Sequence, residues 1–196
     1  MAMRKSSDKA FMRLLFIALT VLAALLSLNA RLWAADPAGS PRFGVVAGYH
    51  QPFGYFDSYL SSGYGAGLIV LYPLSSFPLP VLAEMGLSFS RFEMDESPDS
   101  TLDIYSLRAG GRSQHRVHRF FQPYGGVYLR ASAVSFSADR TGEEETVFKP
   151  GIAVAAGLCF ELALGFNLDV GLEYNAMPLS GEAFQSAGLA AAVTFN

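Results

Sequence analysis

From Arg42 onward, large apolar residues alternate with small or polar ones at a period of two, as in β-strands whose two faces meet different surroundings. The pattern is clearest in Gly151–Asn175, GIAVAAGLCFELALGFNLDVGLEYN, where two alternating runs meet at a short corner that contains Gly165 and Asn167. One face of each run is large and apolar, and the other carries glycine, alanine or charged residues. The stretch therefore predicts a β-hairpin.

Runs of the same kind recur along the chain, separated by stretches rich in proline, glycine and charged residues. Together they predict eight antiparallel strands of about ten residues, the length that a tilted strand needs to cross a bilayer. The polar stretches predict loops at one end of the sheet, namely Gln51–Ser62, Glu93–Ser100, Ser135–Thr146 and Ala176–Ala183. The predicted fold is all-β, an eight-stranded antiparallel up-and-down transmembrane β-barrel.

The first 35 residues differ from the rest of the chain and predict a cleaved signal peptide. A basic leader precedes a mostly apolar run, Leu14–Leu28, which is shorter than the ~20 residues of a membrane-spanning helix. We expect cleavage after Ala34 or Ala35, so that residues 1–35 form the signal peptide and residues 36–196 the barrel domain. A signal peptide followed by a barrel predicts export through the Sec pathway to the outer membrane of a diderm bacterium.

The strand faces with small and charged residues predict what fills the barrel. Eight strands enclose a narrow interior that side chains occupy, and charges in so narrow a space must pair with one another. We therefore predict an internal ion-pair network that consists of Glu84, Arg108, Arg130, Glu161, Asp169 and Glu173. The alternative is that some of these residues lie at solvated rims, where an ion pair contributes little to stability.

Three strands carry a resemblance to a known superfamily: PYGGVYLR from Pro123, FNLDVGLEYN from Phe166 and the final GLAAAVTFN. Together with the signal peptide, they resemble the small eight-stranded outer-membrane barrels, such as the OmpA transmembrane domain and the OmpW-like proteins, over Arg42–Asn196. The resemblance implies outer-membrane lipid around the barrel and assembly by the barrel-assembly machinery.

The resemblance also implies two classes of task. OmpW-like members are regarded as narrow conduits for small or hydrophobic solutes, whereas OmpA-like members are structural proteins or adhesins, which contact a host surface ligand. A conduit would have its mouth among the loop aromatics Phe53, Tyr55, Phe56 and Tyr59, although such rings also pack at a rim or anchor it in the interface. A third alternative is a secreted lipocalin-like barrel, which binds its ligand inside and has apolar residues facing inward.

Composition argues against several other classes of protein. The formal net charge of −3 is unlike that of a nucleic-acid-binding protein. Hydrolase chemistry needs a histidine beside a serine and a carboxylate, whereas His50 lies at a strand end and His115 and His118 lie in one turn. The latter two lack a third metal ligand, and Cys159 is the only cysteine. We therefore predict no enzyme activity, no metal and no cofactor.

Overall fold

The computed structural model of the protein describes residues 40–74, 80–95, 97–118, 120–138, 143–162 and 165–195. The predicted signal peptide and its cleavage site therefore lie outside the described residues. Within the described ranges, no helix has the length and apolar character needed to cross a membrane.

Eight antiparallel strands form one closed barrel in which each strand pairs with the next along the chain. They are β1 Arg42–Phe53, β2 Leu60–Leu74, β3 Val81–Met94, β4 Ser97–Gln114, β5 Phe121–Ala138, β6 Glu143–Glu161, β7 Phe166–Leu179 and β8 Glu182–Phe195. The barrel closes where β8 pairs with β1, with Phe43 opposite Phe195. This architecture confirms the predicted up-and-down barrel of eight strands.

Most large apolar side chains of the membrane band face outward, as the alternation predicted for a barrel in lipid. Leu172 is 66% exposed and Leu129 is 71% exposed, whereas the inward-facing Glu84 and Asp169 are 2% and 3% exposed. A lipid-facing sheet has this arrangement because acyl tails offer no partners to charged groups. It is the reverse of the arrangement in a soluble lipocalin-like barrel, which was the third alternative.

Aromatic residues of the outward face gather toward both ends of the apolar band. We call the end of the barrel where β1 begins and β8 ends the terminal end, and the opposite end the far end. The outward aromatics toward the terminal end are Phe43, Tyr72, Phe121, Phe160, Phe166 and Phe195. Those toward the far end are Tyr49, Tyr64, Phe89, Tyr105, Phe148 and Tyr174. Beyond the paired rings of Phe89 and Tyr105, the next outward pair is the salt bridge of Arg91 to Asp103, with 2.6 Å between Nη2 and Oδ2. Two aromatic girdles, with this ion pair beyond the one at the far end, mark the two interfaces of a membrane barrel.

The strands are longer than predicted, and most of the predicted far-end loops belong to them. β4 begins at Ser97 and β6 at Glu143, inside two of these stretches. Ala176–Ala183 contains only the two-residue turn Ser180–Gly181, whose φ angles of 51° and 87° fit a type I′ hairpin turn. Polar composition marked where strands leave the lipid rather than where they end, because a strand that extends into water can carry polar residues on its outward face.

An arginine on the lipid-facing band should destabilise the barrel. Leu172 lies in the middle of β7 with its side chain 66% exposed on that band, and we expect Leu172→Arg to cost about 2–4 kcal/mol of unfolding free energy. The control is Gln51→Arg, which places the same side chain outward on β1, beyond Tyr49 of the far-end girdle. Urea unfolding in phospholipid vesicles measures both variants, and equal losses would contradict the membrane placement of the band.

Candidate functional site

The barrel interior is stratified along its axis, as the inward side chains of β4 illustrate. From the far end, Leu102 and Ile104 are apolar, Ser106 is polar, and Arg108 and Arg112 are charged. These side chains share a face because the side-chain period of a strand is two. We call the charged level the ionic layer and the apolar level the apolar cap.

Arg108 is the centre of the ionic layer and links three strands. Its Nη2 lies 2.6 Å from Glu84 Oε1 on β3, and its Nη1 donates to Glu173 Oε2 on β7 at 2.7 Å. Tyr128 donates from its hydroxyl to the other Glu84 oxygen at 2.9 Å, and its ring lies 5.0 Å from the Arg108 guanidinium carbon. Because all these side chains are at most 12% exposed, removing any one of them leaves a charge or a polar group without its partner.

Arg112 makes a second ion pair nearer the terminal end, and the sequence reasoning missed it. It donates from Nη1 and Nη2 to the two oxygens of Asp169 at 2.8 and 3.0 Å, the bidentate geometry that the guanidinium fork favours. Tyr124 lies under the guanidinium with its ring centroid 3.7 Å from the Arg112 carbon. The alternation along β4 could have identified Arg112 as an interior residue, because Arg112 continues the inward series of Arg108 and Gly110.

Arg130 lies inside the barrel but is held by neutral groups. It donates from Nη2 to Ser106 Oγ at 2.7 Å and from Nη1 to Asn175 Oδ1. Ser132 and Ser106 share a hydrogen bond of 2.8 Å beside it. Of the predicted network, the structure thus brings Glu84, Arg108 and Glu173 into one cluster, joins Asp169 to Arg112, and places Arg130 among hydroxyl and amide groups.

Glu161 does not belong to the interior, which corrects its predicted placement. It is the last residue of β6 and pairs with Arg116 of the β4–β5 connection, with 2.7 Å between Oε2 and Nη2. The side chains are 47% and 63% exposed. The strand period assigns Glu161 to the inner face, but the wall ends there, so this pair is the rim alternative that contributes little to stability.

The apolar cap fills the far end of the barrel. Its buried members are Phe56, Leu60, Phe92, Leu102, Ile104, Val134, Met177, Leu179 and Phe184. Phe184 holds it together, because its ring lies 5.6 Å from that of Phe56 and 5.4 Å from that of Phe92 in edge-on contacts. Such contacts between aromatic rings add to the stabilisation from burial.

The four predicted mouth residues are not gathered around an opening. Phe56 points into the apolar cap, and Phe53 packs against Tyr174 with 5.7 Å between ring centroids. Tyr55 and Tyr59 remain 55% and 44% exposed and lie against each other at 5.3 Å. The hydrogen bond to Tyr59 raises the pKa of the Tyr55 hydroxyl. The 3-10 helix Gly54–Ser58, which the sequence reasoning did not predict, divides these rings between the interior and the surface.

Three small polar cavities lie among the described interior residues. One of about 20 Å³ lies beside His50, Arg130 and Ser132, and one of about 30 Å³ lies beside Arg108 and Arg112. A third of about 30 Å³ contacts residues of both. Volumes of this size hold one or two water molecules each, and a larger solute would need the surrounding side chains to move.

Neither a hydrolase triad nor a metal site is complete among the described residues. Ser113 Oγ lies 3.0 Å from His115 Nε2, but both are on the exposed terminal end, and among the described residues no carboxylate hydrogen-bonds to that histidine. Across the same residues, no group of three or more histidine, cysteine, aspartate or glutamate side chains could hold a metal ion.

Comparisons with known proteins place this architecture in a family. A family model described as outer membrane protein beta-barrel domain matches residues 20–195, and no curated protein matches the chain. Among solved structures, neisserial surface protein A (NspA) is similar, with 17% identity, a TM-score of 0.63, and coverage of 80% of this chain and 97% of that one. Ail of Yersinia pestis is 22% identical with a TM-score of 0.48, and covers 80% of this chain and 97% of its own.

The N-terminal β-barrel domain of Pseudomonas aeruginosa OprF is 17% identical with a TM-score of 0.49, and the match covers 80% of this chain and 99% of that one. At 17% identity, the similarity to NspA supports the fold alone. The family model covers most of the chain, and its description agrees with the outward apolar band and the two girdles. The chain therefore belongs to the outer membrane protein beta-barrel domain family and is a transmembrane barrel of the outer membrane of a Gram-negative bacterium.

Proposed function

We propose that this protein is a closed, non-catalytic barrel that acts through the surface it displays outside the cell and not as a conduit. The observation that carries the proposal is the double closure of its interior. Arg108 joins two carboxylates across the axis, and farther along the axis Phe184 packs between Phe56 and Phe92 in the apolar cap. A solute would have to displace both levels.

The energetics of the interior also favour a closed barrel. Separating Arg108 from its carboxylates would leave buried charges without partners, which costs roughly 3–5 kcal/mol for a broken buried pair. Opening the apolar cap would in addition expose aromatic side chains to water. A resting conduit for hydrophobic solutes would more simply leave its axis lined by apolar side chains, and here the middle of the axis is charged.

The far end offers the surface for contacts, and we propose that it faces the outside of the cell. Tyr55 and Tyr59 are exposed there, and Asp57, Asp95 and Glu182 are exposed on the same end. Acidic side chains repel polyanions and attract cationic surfaces. The partner proposed for this end is therefore a basic or uncharged surface ligand of a host, and not an anionic polysaccharide.

Conductance of the folded protein in planar bilayers tests the closed barrel. We expect no stepwise currents from the wild-type protein. Stepwise currents that are abolished by Ala190→Leu, which fills the space beside Arg108 and Glu173, would overturn the proposal in favour of the conduit.

Binding to defined surfaces tests the displayed end. We expect the folded protein to be retained on immobilised polylysine and not on heparin, and Asp57→Asn combined with Asp95→Asn to weaken that retention. The matched control is Glu161→Gln, which removes an exposed carboxylate from the terminal end. Equal loss in the control, or retention on heparin, would contradict the proposed partner.

A further inference from the structure

The barrel wall has a defect between β6 and β7 at the far end. The ladder between these strands runs from Glu161 opposite Asn167 to Ile152 opposite Ala176, and it stops there. Both strands continue, because β6 remains paired with β5 as far as Glu143, and β7 remains paired with β8 as far as Leu179. The β5–β6 hairpin and the β7–β8 hairpin therefore extend toward the far end side by side, without pairing with each other.

Two prolines explain why the ladder stops. Continuing the register by two positions beyond Ile152 and Ala176 would place Pro150 directly opposite Pro178. Proline has no backbone N–H, so neither residue can donate to the other strand. Prolines on the edges of strands are also a known means of preventing further pairing. The sequence therefore accounts for the separation of β6 and β7 beyond Ile152 and Ala176.

The separation opens an apolar groove on the outer face of the wall. The groove has a volume of about 630 Å³ and is lined mainly by Leu129, Pro150, Ile152, Ala176, Pro178 and Ala183. Leu129 and Ile152 are 71% and 48% exposed members of the lipid-facing band. On β7 the groove begins two residues beyond Tyr174 of the far-end girdle. It is therefore continuous with the surface that lipid covers and lies at the interface.

The wall behind the groove is thin. Gly151, Ala176 and Met177 line both this groove and the internal cavity beside His50 and Arg130. Met177 is 7% exposed and belongs to the apolar cap. Hydrocarbon in the groove would cover this part of the wall and would also shield it from water.

We propose that the groove between β6 and β7 is a binding site for one acyl chain of a lipid of the surrounding leaflet. The chain lies along the apolar lining, and the lipid's polar head lies above Pro150 and Pro178, where unpaired backbone groups of β6 and β7 can bond to it or to water. The polar head thus supplies hydrogen-bond partners at the defect, where unpaired backbone groups would be costly next to hydrocarbon. The proposal rests on the end of the β6–β7 ladder and on the groove beside it, and it is independent of the function proposed for the far end.

Retention of lipid by the folded barrel tests the proposal. The protein is folded into vesicles of phosphatidylethanolamine, or of phosphatidylethanolamine with lipopolysaccharide, and transferred to mild detergent for mass spectrometry under non-denaturing conditions. We expect the wild type to retain one lipid, and Ala183→Trp, which fills the groove, to lower that retention about tenfold, equivalent to roughly 1.4 kcal/mol. The lipid retained from the mixed vesicles identifies its source.

Ala191→Trp is the matched control, because Ala191 is exposed on the same strand and lies outside the groove. It should retain lipid as the wild type does. Absence of retained lipid from the wild type, or equal loss in the two tryptophan variants, would overturn the proposal.

A second measurement uses tryptophan as a fluorescent reporter at two positions that already carry a large apolar side chain. Ile152→Trp reports on the groove, and Leu189→Trp reports on ordinary lipid-facing wall. The one native tryptophan, Trp33, lies in the predicted signal peptide, so each variant without that segment carries the reporter as its single tryptophan. With phospholipids brominated in the acyl chain, we expect the groove reporter to be quenched at a lower mole fraction of brominated lipid. Identical quenching curves would overturn the proposal even where Ala183→Trp does not fold.

Discussion

Replacing Arg108 with methionine is expected to destabilise the barrel by about 3–5 kcal/mol, because it leaves Glu84 and Glu173 buried without their cationic partner. Methionine keeps most of the length of the arginine stem, so the loss reports the charge rather than a large cavity. Urea unfolding in phospholipid vesicles gives the free energy, with the heat-dependent change in gel migration as a check on folding.

The exposed Arg116→Met is the matched control, since Arg116 also pairs with a glutamate, but at the rim. It should change stability by less than about 1 kcal/mol. Adding Glu84→Gln and Glu173→Gln to the Arg108 variant should restore part of the loss, because neither position then carries a buried charge without its cationic partner. If the triple variant is no more stable than Arg108→Met alone, unpaired charge is not the cause of the loss.

Phe184→Ala should be the most damaging substitution in the apolar cap. Phe184 is 2% exposed and packs against both Phe56 and Phe92, and deleting a buried phenylalanine ring typically costs about 3–5 kcal/mol. Phe148→Ala is the control at the same end, because its ring is 63% exposed on the outer face. Unfolding in urea compares the two, and a control that loses as much as Phe184→Ala would refute the role of the cap.

Phe184→Ala also tests whether the two closures act separately. Because the ion pairs of Arg108 close the axis at another level, we expect this variant to remain without stepwise currents in planar bilayers. Currents in Phe184→Ala alone would show that the apolar cap is the sole barrier.

The sequence predicted the two faces of the sheet well, because one physical rule governs every strand in lipid. The strand period assigned Leu172 outward and Glu173 inward, and the structure has them so. The same rule would have found Arg112, which continues the inward series of β4. It misplaced Glu161 because the period states which way a side chain points and not where the wall ends.

The far end was harder to predict because its outward side chains face water and are polar, so its strands resemble loops in composition. In Ser135–Thr146 and Ala176–Ala183, polar and proline residues indicated loops, whereas the structure continues β5, β6, β7 and β8 into them. The division of Phe56 from Tyr55 depends on a 3-10 helix of five residues, whose direction is set by packing on Phe184. The identity of an aromatic residue in a loop does not indicate whether its ring points into the barrel or toward the surface.

The interior ion pairs join residues that are distant in sequence, and this constrains how the protein is assembled. Arg108 and Arg112 on β4 meet Glu173 and Asp169 on β7 across separations of 65 and 57 residues, and two other strands lie between them. In a flat, half-finished sheet these groups are far apart. Arg112, Asp169 and Glu173 then lack their counterions, and Arg108 keeps only Glu84 of the adjacent strand β3. Hydrocarbon cannot accept them in that state, so curling of the sheet and its entry into the bilayer must proceed together, and the β4–β7 contacts form only as the last seam closes.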